Sequence, residues 1–252
     1  MHYICTLIYG DVNHAVLEIK TGFYMNKLPE ATKNLLAINI LMAFATFVLK
    51  RQDIDLVSIL GLHFFKATDF APYQFVTYMF MHGGFSHLFF NMFALYMFGG
   101  VLERVWGAKR FLIFYLVSGV GAGLLQEVVQ YVDFVQSGLV HYQSVRLPSG
   151  GVMLVGDFLN SFWTTVGASG AIYAILLGFG MSFPNEKMFV FPLPFPIKAK
   201  FFVMGYAVIE LLLGFANTQD GIAHFAHLGG MLFGLVMILY WRKKGKIGGP
   251  YV

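Results

Sequence analysis

Long apolar runs alternate with short polar joints along most of this chain, and the runs have the length of membrane crossings. A spanning helix needs about 20 mostly apolar residues. Six candidates stand out: about Asn34 to Leu49, Phe75 to Leu102, Phe111 to Val132, Thr165 to Pro184, Phe201 to Phe215 and Ile222 to Trp241. The second is interrupted by His82, Ser86, His87 and Asn91. The fourth is too short to span alone. It crosses only if its N-terminus begins below the surface, in a protein-lined cavity, and Ser169 sits at that start. The expected fold is an all-α membrane protein, a six-transmembrane-helix bundle.

The joints differ in character. An outer loop from about Arg51 to Tyr73 holds a weakly amphipathic stretch, Ile54 to Phe65, expected to lie in the membrane interface. A second outer loop, about Asp133 to Ser161, is rich in Gly and Ser. The linker from Phe183 to Pro196 carries four prolines, and no regular structure is expected there. No internal repeat breaks the chain, so residues 25–252 read as one domain. Residues 1–24 stand apart as an extension, with a short apolar run that meets Asp11 at once and makes no signal peptide. Met25 is a possible true start.

Composition supports lipid as the solvent: 58% of the 252 residues are hydrophobic and 12% charged, where soluble domains carry about 25% charged residues. The net charge of +4 falls in clusters that report topology. Arg104, Lys109 and Arg110 join spans two and three, and Lys187, Lys198 and Lys200 join four and five. Arg242, Lys243, Lys244 and Lys246 follow the last span; Lys27 and Lys33 precede the first. The opposite joints hold only Lys50, Arg51, Lys66 and Arg146. The positive-inside rule therefore places both termini in the cytoplasm. No basic helix or aromatic-lined groove suggests nucleic acid. The single Cys5 excludes an intramolecular disulfide.

Ionisable groups inside spans cost about 2.5–3.5 kcal/mol at mid-helix on the insertion scale, so they need a reason. His87 and Asn91 are four apart and share a helix face. Ser169 lies in Gly167-Ala168-Ser169-Gly170, and His227 in His224-Phe225-Ala226-His227-Leu228-Gly229-Gly230. A serine hydroxyl becomes nucleophilic when a neighbouring base takes its proton, and a neutral imidazole suits that task. Close approach of the two helices is allowed by small-residue stripes, Gly230 and Gly234 facing Gly170 and Ala174. Donors for a developing oxyanion would be the Asn91 amide, an imidazole N–H of His87 and the Ser169 amide at a helix start. No acid is obvious as a partner of His227: Asp220 lies in the preceding turn and Glu210 deep in the fifth segment. A Ser–His dyad without a carboxylate is the simpler expectation, with Tyr173 stacking on the imidazole.

These residues together resemble the rhomboid family of intramembrane serine proteases, over about Phe70 to Tyr240. The match comprises Pro72-Tyr73-Gln74, His82, His87-x-x-x-Asn91, Gly99-Gly100, Glu103-x-x-x-Gly107, Gly167-x-Ser169-Gly170 and His224-x-x-His227-x-x-Gly230-x-x-x-Gly234. The resemblance implies a six-helix bundle with a wet cavity open to the outer side. It implies Ser169 as nucleophile, His227 as general base, His87 and Asn91 as the oxyanion pair, and Tyr173, Gly167 and Gly170 in support. Substrates would be transmembrane proteins cut in the bilayer, and no metal or cofactor is implied. The expected location is a bacterial inner membrane. The first outer loop lacks the Trp-Arg pair of many bacterial relatives.

Taken singly, these residues have plainer roles. Ser169 alone would be a helix cap, and His82 and His224 read as hydrogen-bonded structural histidines. The competing functions are an inactive rhomboid-like protein that binds membrane clients, a haem protein using His87 and His227, and a small transporter. Such a transporter would show related halves, which this chain lacks. The pattern specifies no oligomeric state.

Overall fold

The computed structural model describes residues 28–189, 195–216 and 223–248. The extension at residues 1–24, Asp220 and the proposed start of the last span at Ile222 lie outside the described residues. Helix α1 (Glu30–Lys50) is followed by a short α2 (Leu56–Leu60) and strand β1 (Leu62–His63). Next comes α3 (Gln74–Thr77), which continues as a 3₁₀ turn, Tyr78–Phe80. The second span is built from α4 (Phe85–Ala94), a π turn at Leu95–Gly99, and α5 (Gly100–Trp106). Helix α6 (Ala108–Gln136) leads to the hairpin β2 (Ser144–Arg146) and β3 (Val152–Leu154), then α7 (Val155–Phe162) and β4 (Thr164–Thr165). Helix α8 (Ser169–Ser182), the hairpin β5 (Lys187–Met188) with β6 (Ile197–Lys198), α9 (Ala199–Ala216) and α10 (His224–Lys243) complete the order.

Five of these helices are long and apolar enough to cross a membrane, α8 being the short exception. The chain is an integral membrane protein with an all-α bundle. Its surface is inverted relative to a soluble protein: Leu41, Phe44, Phe90, Val128, Leu212 and Val236 are all exposed on spanning helices. Lipid supplies their solvent. The buried centre is formed by α6, α8 and α10, while α1 and α9 are peripheral, each with 17% of its apolar window buried.

Several boundaries differ from the sequence expectation. The second span begins at Phe85, ten residues after Phe75, because Met81 turns extended and the pair Gly83-Gly84 follows; two glycines in a helix interior would cost about 0.8–1.0 kcal/mol each relative to alanine. Thr165 belongs to β4, and the fourth helix starts at Ser169. The stretch Ile54 to Phe65 does not simply lie on the interface: Leu62 and Phe64 have no exposed surface. Its strand β1 pairs with β4, Leu62 opposite Thr165 and His63 opposite Thr164. The proline-rich linker, expected to have no regular structure, holds the two-residue strand β5, which pairs with β6 just beyond Pro196.

Cross-links fix the two ends of the bundle. At one end Glu103 caps α1, accepting bonds from the Ala31 and Thr32 amides at 2.9 and 2.7 Å and from the Thr32 hydroxyl at 2.8 Å. These are orphan donors of a helix start, and a carboxylate there also meets the positive end of the helix dipole. At the same end Trp106 packs edge-on against Trp241, and the Arg242 guanidinium donates to the Met181 carbonyl at 2.7 Å. At the opposite end Phe64 packs on Phe134 and Trp163. Gln74 pins the loop between α2 and α3 there: its carbonyl accepts from the His63 and Ala71 amides, and its amide donates to the Asp69 carbonyl at 3.0 Å. Ser169 follows β4 after three residues, so the start of α8 belongs to this second end.

Candidate active site

Helix α8 has 14 residues, about 21 Å of rise, against a hydrocarbon core of about 30 Å. Its C-terminus is held at the basic end by Arg242, so its N-terminus stops short of the opposite surface and Ser169 is recessed. The turn before it is forced. Gly167 has φ +131, which L side chains rarely adopt, and its amide donates to the Tyr78 carbonyl at 2.9 Å. As the first residue of α8, Ser169 keeps an amide without an intrahelical acceptor.

Helix α10 brings His227 to Ser169, with Nε2 2.9 Å from the Ser169 hydroxyl oxygen. Glycine sets this approach. A methyl on Gly230 would lie 1.9 Å from the Gly170 carbonyl oxygen, and one on Gly234 would lie 2.9 Å from the Ala174 Cβ. The two stripes expected from the sequence do meet. Gly170 faces a third neighbour as well, since its Cβ would fall 2.4 Å from the Ala122 Cβ of α6. The Tyr173 ring lies flat on the His227 ring, with centroids 4.2 Å apart and planes 6° from parallel.

His87 and Asn91 stand one turn apart on α4. A Cβ on Gly167 would sit 2.8 Å from His87 Nε2 and 3.5 Å from the Ser169 hydroxyl oxygen. Both side chains therefore border the space that Gly167 leaves empty. Asn91 is buried, and its side-chain nitrogen has no hydrogen-bond partner among the described residues. Above them Gly83, Gly84, Phe85 and Ser86 are exposed, and His87 is half-buried. His82 is buried with its ring edge-on to His87 at 5.2 Å. Neither of its ring nitrogens reaches a well-aligned partner among the described residues.

The expectation of a histidine without a nearby carboxylate does not hold. Glu210, one of three buried residues on α9, places Oε2 3.0 Å from His227 Nδ1. The same oxygen accepts a 2.7 Å hydrogen bond from His224 Nδ1, while Oε1 accepts from the Tyr173 hydroxyl. Sequence spacing cannot link Glu210 with His227, since they stand on separate helices. The usable signal was the cost of a carboxylate within an apolar span.

Glu210, His224 and His227 also offer ligand atoms within 4.8 Å of one another. A tetrahedral zinc with ligand bonds of about 2.0–2.1 Å would hold those atoms roughly 3.3 Å apart. The 2.7 Å separation is that of a charge-assisted hydrogen bond and the 3.0 Å one that of a close ion-pair contact, both shorter than the spacing around such a cation. The donor set fits a proton-bearing network better than a cation cage.

The sequence profile of the Rhomboid domain matches residues 69–244, which hold every residue of this cluster. The chain belongs to the rhomboid family. Among its relatives, "Rhomboid protease AarA" of Providencia stuartii is 29% identical over 166 residues, covering 64% of this chain and 53% of that protein. "Rhomboid-like protein 11, chloroplastic" of Arabidopsis thaliana is 29% identical over 189 residues, covering 69% and 54%. "Rhomboid protease GlpG" of Haemophilus influenzae is 23% identical over 186 residues, covering 72% and 76%. The chain thus spans about half the length of the first two. Two of these three carry the word protease in their names.

Proposed function

We propose that this rhomboid is an intramembrane serine endopeptidase that cleaves transmembrane segments of membrane proteins with a Ser169–His227 dyad. The observation that carries the proposal is the 2.9 Å contact between His227 Nε2 and the Ser169 hydroxyl oxygen at a recessed helix start. That distance is within general-base reach. The side of the bundle where Lys33, Arg104, Lys109, Arg110, Lys198 and Arg242 to Lys246 gather is the cytoplasmic face, so Ser169 opens outward. In a bacterial cell the membrane would be the inner one.

A substrate helix unwinds at the outer edge, because helical hydrogen bonds otherwise shield the scissile amide. Ser169 attacks the carbonyl carbon while His227 Nε2 takes the hydroxyl proton. The carbonyl oxygen becomes an oxyanion in the gap beside Gly167, where the Asn91 amide, a His87 N–H and the Ser169 amide can donate. Collapse breaks the C–N bond, with the proton passing from Nε2 to the leaving amine. Water, reaching the site past the exposed Gly83 to Ser86 turn, then releases the acyl group by the same base. Tyr173 keeps the imidazole plane fixed throughout.

The test is cleavage of a single-span substrate in liposomes by wild type and Ser169→Ala, with a serine-directed fluorophosphonate probe alongside. Cleavage and labelling by wild type alone is the expected result. A folded wild type that neither cleaves nor labels would instead identify a client-binding relative. Asn91→Ala is expected to lower kcat by about 10²–10³-fold, the cost of one oxyanion donor. Its Tm should stay near wild type, because the Asn91 nitrogen supports no other contact among the described residues. A loss of activity that merely tracks a loss of folded protein would remove Asn91 from this role.

A further inference from the structure

Glu210 is an expensive residue for its position. It lies on a peripheral helix whose other buried residues are Ala199 and Val203, and it is only 5% exposed. A carboxylate inside a span is retained where a partner or a function requires it. Its oxygens converge on one face of the cluster: His227 Nδ1 at 3.0 Å, His224 Nδ1 at 2.7 Å and the Tyr173 hydroxyl. His227 has its other nitrogen on Ser169, so Glu210, His227 and Ser169 form a line across three helices.

We propose that Glu210 is a positioning residue for the reaction, acting through His227 as the third member of a serine–histidine–glutamate relay. The inference deepens the protease proposal and rests on it. For Ser169 to lose its proton to Nε2, that nitrogen must carry a lone pair, so the neutral ring must bear its proton on Nδ1. A carboxylate beside Nδ1 favours that tautomer, and it stabilises the imidazolium formed when Ser169 attacks. The carboxylate takes no proton itself. Its contact with His227 is short but off the line of the N–H bond, for His227 Nδ1 has no aligned hydrogen bond in this state. Hydrogen bonds of this kind often align only with substrate in place.

His224 and Tyr173 complete the arrangement. Both donate to Glu210, which holds the carboxylate against the ring and partly satisfies it where water is scarce. Tyr173 touches His227 twice, by its ring directly and by its hydroxyl through Glu210. A plainer alternative is that Glu210 serves only to tie α9 to the bundle centre, and the two roles give different results.

The experiment uses the full-length protein in lipid, with ¹⁵N-labelled histidine, and compares wild type, Glu210→Gln and Glu210→Asp. His227 signals are assigned by their loss in His227→Ala. Wild type should show His227 protonated at Nδ1, and Glu210→Gln should shift it toward the Nε2-protonated form. The kcat of Glu210→Gln should fall by about 10²–10⁴-fold with KM little changed, as for loss of a triad carboxylate. Glu210→Asp should recover part of the rate. An unchanged tautomer with kcat within threefold of wild type would leave Glu210 a tether only. If Glu210→Gln fails to fold, the wild-type spectrum alone decides, since an Nε2-protonated His227 overturns the proposal. The tautomer is read without substrate, so the two failures are distinct: an inactive wild type overturns the protease proposal and the role of Glu210 with it, whereas an Nε2-protonated His227 in an active wild type overturns the role of Glu210 alone.

Discussion

His227→Ala is expected to lower cleavage by on the order of 10⁴–10⁶-fold while the bundle stays folded. The size follows from the role. Without a base within reach, the Ser169 hydroxyl keeps its proton and is a weak nucleophile, and no acid remains to protonate the leaving amine. The fold survives because Glu210 retains His224 and Tyr173 as partners, so no buried carboxylate is orphaned. The same loss should follow Ser169→Ala, and the double variant should be no slower than either single one. Residues that act as one unit are non-additive in this way. Single-turnover cleavage in liposomes, with Tm for each variant, makes the comparison. Losses that multiply in the double variant would show that Ser169 and His227 do not act in one step.

The crossings were legible because lipid imposes a simple rule, a run of about 20 apolar residues per helix, and the described residues hold five helices of that kind. The meeting of Gly230 and Gly234 with Gly170 and Ala174 was legible from small residues one turn apart. What the pattern hid was non-helical backbone inside an apolar run. Residues Phe75 to Phe80 read as the start of the second span, yet the chain breaks at Met81 to Gly84 before α4 begins. The β1–β4 pairing was equally invisible, because two residues on each strand carry no periodicity and lie about a hundred positions apart. Glu103 caps α1 across 72 positions, a contact that no local spacing marks. Glu210 was visible as an anomaly of cost; its partners were not, because only the packing of α9 on α10 and α8 supplies them.

Gly230→Ala should be the most damaging single-methyl change outside the reacting residues. The added carbon would lie 1.9 Å from the Gly170 carbonyl oxygen, and the next atoms, at 2.6 and 3.1 Å, are also backbone. No side chain can rotate away, so α8 and α10 must separate. Overpacking of this kind costs about 1–3 kcal/mol, which should lower Tm. The larger effect is on rate, because Ser169 and His227 stand on the two helices that are driven apart. A displacement near 1 Å can cost about 10²-fold even when the mutated residue touches no reacting atom, and here the shift acts directly on the 2.9 Å contact. Two controls separate distance from chemistry. Gly234→Ala meets the Ala174 Cβ at 2.9 Å and the Phe114 ring at 3.0 Å, two turns of helix from His227, so its loss of rate should be smaller. Gly205→Ala has nothing within 4 Å and lies mid-helix on α9; it should keep full rate and add about 0.5–1 kcal/mol of stability. The order expected in kcat is Gly205→Ala, then Gly234→Ala, then Gly230→Ala. If Gly230→Ala cleaves as fast as Gly205→Ala, the close approach of α8 and α10 is not what sets the reacting geometry.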